Sequence, residues 1–208
     1  MIEKKLKTIA LSVVVVSLFV FHPHAAKKNS GPGQSETESK LWLVGDSSLH
    51  AYSSTAHNLK VACGFQSDKP VYEQMTSGQL KSLDVVVPVK DMRSGKDGLD
   101  KNMQKALKAE ENPNILFHLE KYTVTPSTIQ SQGMAIKAMG ILEVAGVKKE
   151  ITLDGTLTQE GRGLRIQGVE DLLMTDYGVK PPKILMIKTA NEVKVHYDLR
   201  LDEKGGLK

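Results

Sequence analysis

The sequence predicts an all-β domain, an antiparallel barrel with one short helix at about 99–108. Three observations carry this. Apolar residues alternate with a period of two through most of residues 41–201, as half-buried strands require. The period changes to that of a helix only once, between two alternating runs. Glycine-bearing turns separate the later runs, so strands that follow one another in the chain pair as hairpins. A run of six to eight such strands is best satisfied by closure, because closure removes the unpaired edges that invite aggregation.

The element around the helix comes first in the argument. Leu83, Val85, Val87 and Val89 alternate with Asp84, Val86, Pro88 and Lys90, which predicts a strand. A turn follows at residues 94–98. Leu99, Met103, Ala106 and Leu107 then share one helical face, with Asp97 or Asp100 as the expected cap. Asn112 and Pro113 stop the helix, and Ile115, Phe117 and Leu119 alternate again. A helix of about ten residues is marginal alone in water, so this one must bury its apolar face over one end of the sheet.

Further along, Met134, Ile136, Ala138, Gly140, Leu142 and Val144 share one face of a long strand over 133–144, and Gly146 marks the turn. Ile151, Leu153, Gly155 and Leu157 form the return strand; a turn at 160–163 leads into Leu164 and Ile166. Residues 176–182 form a rigid loop. A last hairpin is expected around Ala190 and Asn191, with Val193, Val195, Tyr197, Leu199 and Leu201 facing one way.

The N-terminus is of another kind. Lys4, Lys5 and Lys7 precede an apolar run at 9–21, the pattern of a secretory signal peptide, with cleavage expected near Ala25 or Ala26. The run is short of the roughly 20 residues of a spanning helix, and an uncleaved anchor is the alternative reading. Residues 1–26 are thus read as signal peptide, 27–40 as a flexible polar leader, 41–202 as one folded domain and 203–208 as a tail. The expected location is periplasmic or secreted.

Composition excludes several functions. The chain has 28 basic and 24 acidic residues, and loss of Lys4, Lys5, Lys7 and Glu3 with the signal leaves 25 against 23. With no basic cluster and 5% aromatic residues, nucleic acid is not an expected partner. Cys63 is the single cysteine, so the fold cannot rest on an internal disulfide; it reads as a small core hydrophobe. The string LWLVGDSSLH imitates the nucleophile block of GDSL-type esterases, yet no aspartate has a histidine three positions on, and strands do not alternate with helices. Ser47 and Ser48 therefore read as strand or turn residues, and no catalytic residue is assigned. His50, His57, His118 and His196 show no metal-ligand spacing, so neither metal nor cofactor is expected.

The run VVVPVKDMRSGKDGLDKNMQKALKAEENPNILFHLEKYTV, residues 85–124, resembles the central signature of the YceI-like polyisoprenoid-binding family: a valine-rich strand, a Ser-Gly loop, a short helix and an Asn-Pro-x-Ile-x-Phe strand in that order. GVKKEITLDGTL at 146–157 is similar to that family's Gly-Val-x-Lys hairpin, and MTDYGVKPPKI at 174–184 to its late Asp-aromatic-Gly loop. At the start, GDSSLHAYSSTA departs from the family variant: Asp46 stands for Thr, and Ala51 with Tyr52 for Asp-Trp. The resemblance implies a lipocalin-like barrel, without catalysis, that holds an isoprenoid, isoprenoid quinone or fatty-acyl chain, with transient membrane contact. On apolar phase the expected wall is Val85, Val87, Phe117, Met134, Ile136, Met174, Tyr177 and Tyr197, with Leu99 and Met103 on the helix as a lid. A side-chain-filled barrel serving as an envelope stress or interaction module is the alternative, and it predicts no extractable ligand.

Overall fold

The computed structural model describes residues 38–126, 133–184 and 187–208; the predicted signal peptide and most of the leader lie outside them. Strands β1 (Lys40–Ser47), β2 (Tyr52–Ala56) and β3 (Lys60–Phe65) open the fold, followed by helix α1 (Val71–Thr76). Next come β4 (Leu80–Pro88), β5 (Met92–Arg93), α2 (Asp97–Ala106), β6 (Asn114–Pro126), β7 (Met134–Val144) and β8 (Val147–Glu160). Strands β9 (Gly163–Leu173), β10 (Lys183–Ile184) and β11 (Ile187–Leu201) complete it, and 3-10 turns occupy Val89–Asp91 and Met174–Tyr177.

All pairing is antiparallel, in the order β3-β4-β6-β7-β8-β9-β11-β1-β2-β5. The two ends of that order meet. Strand β3 continues β2 and β5 continues β4, while β2 bonds β5 and β3 bonds β4. At the joint the His57 amide donates to the Asp91 carbonyl (3.0 Å). The ladder thus runs round eight chain segments and returns to its start, the closure that the alternation predicted.

Inward phase follows the sequence pattern. Leu83, Val85, Val87 and Val89 are all buried on β4 and its continuation. In β6 the register shifts between Leu119 and Lys121, so the inward set passes from Ile115, Phe117 and Leu119 to Tyr122 and Val124. The β7–β8 turn places Ala145 and Gly146 at φ 50° and 81°; Gly146 also lies so close to the Asn112 side chain that a Cβ would stand 2.7 Å from its Oδ1.

One end of the barrel is plugged. Helix α1 buries Val71, Gln74 and Met75 there, beside Leu157, Leu164 and Leu201, each at most 2% exposed. The Val71 amide donates to the Glu203 carbonyl (3.1 Å), and the Gln74 amide group donates to the carbonyls of Ser67 (2.8 Å) and Lys69 (2.6 Å). Residues 203–208, set apart in the sequence as a tail, are bound in: the Lys208 amide donates to the Arg200 carbonyl and its own carbonyl accepts from the Ser39 amide. The other end is the mouth, formed by α2, the β7–β8 turn and residues 174–182.

The structure corrects three expectations. A second helix, α1, exists beside the predicted one; six residues after Pro70 are too few to show a helical period. The predicted helix spans Asp97–Ala106, and Lys96 occupies its N-cap position; Asp100 instead turns back to accept from the Ser94 amide (2.8 Å). The last strand runs unbroken through Ala190 and Asn191, because the Asn191 side chain bonds Thr175 across to the 3-10 turn rather than closing a hairpin.

Candidate functional site

The barrel encloses a cavity of about 480 Å³ that opens toward the mouth. That volume lies within the roughly 300–1,000 Å³ of small-ligand sites. Its wall is overwhelmingly aliphatic. Val85 and Val87 enter from β4, Phe117 from β6, Ile136 from β7 and Tyr197 from β11; Leu99 and Met103 reach in from α2, and Met174 and Tyr177 from the late 3-10 turn. Met134 does not line it. It has the inward phase but sits opposite Leu157, toward the plugged end, where it packs on the core. Phase sets the face of a strand residue; height along the barrel decides whether that face meets core or cavity.

Several lining residues escaped the sequence reading. Leu41 and Leu43 on β1, Ile151 and Leu153 on β8, and Val193 and Val195 on β11 border the same space. Their alternation was visible, and the β11 pair shares phase with Tyr197. Ser54 and Glu170 had no such signal, since both are polar residues in inward positions. Ser54 is 2% exposed, and its hydroxyl has no hydrogen-bond partner among the described residues. Burying an unpaired hydroxyl costs about 1–3 kcal/mol.

The wall is split on one side. Strands β8 and β9 pair from Glu160/Gly163 only as far as Gly155/Gly168; beyond that point no ladder joins 147–154 to 169–173. Tyr197 stands where the ladder stops. Its ring lies across Gly168, where a Cβ would come 2.1 Å from the hydroxyl, and the hydroxyl donates to the Asp154 carbonyl (2.8 Å). Any side chain at Gly168 would evict the ring. Burial, then the charges of Glu170 and Asp154, pushes the Tyr197 phenol up to about 12.

Glu170 faces inward beside this split. Its carboxyl is pushed above the usual range by burial, then by Asp154 and Asp171, with Lys137 opposing. The neighbouring acids are paired: Asp154 with Lys137 (2.7 Å), Asp171 with Lys194 (2.7 Å) and Asp176 with Lys149 (3.5 Å). The last pair ties the 3-10 turn to β8 across the split. The phenol of Tyr177, buried in that turn, is raised by burial and by Asp176 and Glu170.

The groups weighed for catalysis have structural partners. The Ser47 hydroxyl donates to the His50 carbonyl (2.7 Å) and accepts from the His50 amide (3.2 Å), so it builds a turn. The Ser48 hydroxyl accepts from the Lys188 amide (3.1 Å). Outside the barrel, His118 contacts Asp84 through Nδ1 (2.6 Å) and His196 stacks on Trp42. Cys63 packs against the core from β3, and burial, with Asp84 and Asp202, pushes its thiol up to about 12.

Comparison with known proteins matches this architecture. A family model for the YceI-like domain fits residues 48–201. No curated protein matches the chain. Among solved structures, BcnA from Burkholderia cenocepacia superposes with a TM-score of 0.61 at 15% identity, covering 78% of this chain and 95% of that one. A polyisoprenoid binding domain from Saccharophagus degradans, implicated in plant cell wall breakdown, gives 0.59 at 12% identity, with 80% and 95% covered. The Campylobacter jejuni YceI protein gives 0.53 at 18%, with 72% and 84% covered. At these identities the likeness is one of fold.

Proposed function

The chain belongs to the YceI-like family, and from that premise we propose that it is an exported, non-catalytic lipid-binding protein that sequesters or carries a long-chain isoprenoid, isoprenoid quinone or fatty-acyl lipid in its barrel. The observation that carries the reading is the cavity: about 480 Å³, walled by valine, leucine, isoleucine and aromatic side chains and closed at one end. Moving an apolar tail from water into such a space contributes roughly 0.8 kcal/mol per buried methylene, so tail length dominates affinity. A side-chain-filled interaction module would leave no such space.

Export is supported by Lys4, Lys5 and Lys7 before the apolar run at 9–21, and N-terminal sequencing of protein from fractionated cells tests it. Loading by transient membrane contact is supported by Leu49, 67% exposed on the β1–β2 turn beside Ser47 and His50 at the cavity's edge.

A prenyl alcohol series of increasing length tests the binding reading. Each added isoprene unit is expected to tighten binding at least about tenfold until the cavity is full. Affinity independent of chain length would overturn it.

A further inference from the structure

Two polar side chains of the cavity wall, Ser54 and Glu170, share one level. Ser54 pairs with Leu43, Leu43 with Val195 and Val195 with Glu170, so the four side chains form one inward row across β2, β1, β11 and β9. Residues directly opposite in an antiparallel ladder point to the same face, and three strand spacings put Ser54 and Glu170 ~14 Å apart along the wall. Among the described residues, the row has a hydroxyl without a hydrogen-bond partner at one end and an acid outside any ion pair at the other, its neighbours Asp154 and Asp171 holding Lys137 and Lys194. The basic groups on the lining are Lys96 and His50, both solvent-exposed at the rim; no described cation faces the interior beside this row.

A hydroxyl buried to 2% and left unpaired is not there for the fold, since alanine would fill the same space without the penalty. It faces a cavity, so its partner is what the cavity takes up. Resting on the lipid-carrier reading above, we infer that the interior selects a long-chain lipid whose head is uncharged and bears a hydroxyl or carbonyl oxygen: Ser54 donates a hydrogen bond to that oxygen, and Glu170 excludes an anionic phosphate from the same level. An anion beside Glu170 would meet a like charge at a half-buried wall, where the one cation described as acting on that carboxyl, Lys137, is already paired with Asp154. A neutral oxygen meets neither obstacle.

Three probes on one carbon skeleton separate the possibilities: geranylgeraniol, geranylgeranyl monophosphate and the headless hydrocarbon phytane, each measured by displacement of a fluorescent prenyl probe. Geranylgeraniol is expected to bind about tenfold tighter than either of the others. Ser54→Ala is expected to remove that advantage over phytane, leave phytane binding unchanged and not lower the thermal midpoint of the lipid-free protein. Glu170→Gln is expected to tighten the monophosphate alone, by about fivefold. Equal binding of geranylgeraniol and phytane, a preference for the monophosphate, or a Ser54→Ala variant that loses stability and binds all three probes equally weakly would overturn the head-group inference while the carrier reading stands. Failure of all three to bind would remove the carrier reading, and the inference with it.

Discussion

Strand β8 passes from one regime to another along its length. Leu157 is fully enclosed against β7, β9 and the α1 plug, whereas Ile151 and Leu153, nearer the mouth, border open cavity on the same face. Strand β9 does the same, from buried Leu164 to Leu172 at the cavity, and here the two strands also part company. One period-two pattern therefore builds a core at the plugged end and a binding space at the mouth. What differs is the content of the bore: α1 and the C-terminal residues fill one end, and nothing of the described chain fills the other.

The largest effect that separates the two regimes is truncation of leucine. Leu164→Ala or Leu157→Ala is expected to cost about 2–5 kcal/mol in denaturant unfolding, because each opens a new void among fixed neighbours. Leu153→Ala removes a side chain that already borders a void, and about 1 kcal/mol or less is expected. Equal losses at the two positions would erase the distinction.

Polar tethers follow the same division. Gln74→Leu leaves the Ser67 and Lys69 carbonyls unmatched beneath the plug, an expected loss of about 1–3 kcal/mol by thermal unfolding. At the mouth, Lys149→Ala breaks only the exposed pair to Asp176, and within about 0–1 kcal/mol is expected.

Two acids give opposite pH slopes. Asp198 is held below its ordinary range by the bidentate hydrogen bonds of Arg165, so its contribution is present above the unfolded-state value and lost as pH falls through the folded one. Asp198→Asn is expected to flatten the acid limb of the stability profile. Glu170 is raised, chiefly by burial, so its contribution is present at low pH and lost as pH rises through its folded value. Glu170→Gln is therefore expected to stabilise the lipid-free protein at neutral pH and to leave the most acidic points unchanged. The smallest effect concerns Cys63: with its thiol near 12, alkylation at neutral pH is expected only after unfolding.

Much of this division was hidden in the sequence for identifiable reasons. The alternation around Val85, Val87, Phe117, Ile136 and Tyr197, and the helical face of Leu99 and Met103, are local periodicities, and the structure places all seven residues on the cavity. Met134 has equally good phase and was misplaced in height, which depends on the register between strands. Helix α1 is too short to leave a period, so the plug that divides the bore was not visible. Nor was the split between β8 and β9, apart from Gly155 and Gly168, whose purpose emerges only once Tyr197 lies across Gly168. Ser54 and Glu170 break the inward apolar pattern, and a pattern search passes over its exceptions.

The most direct test of a mouth-end bore built to hold lipid is mass spectrometry of an organic extract from the protein purified without detergent. A stoichiometric isoprenoid or acyl lipid is the expected result. An empty extract, together with no thermal shift on adding long-chain isoprenoids, would contradict it.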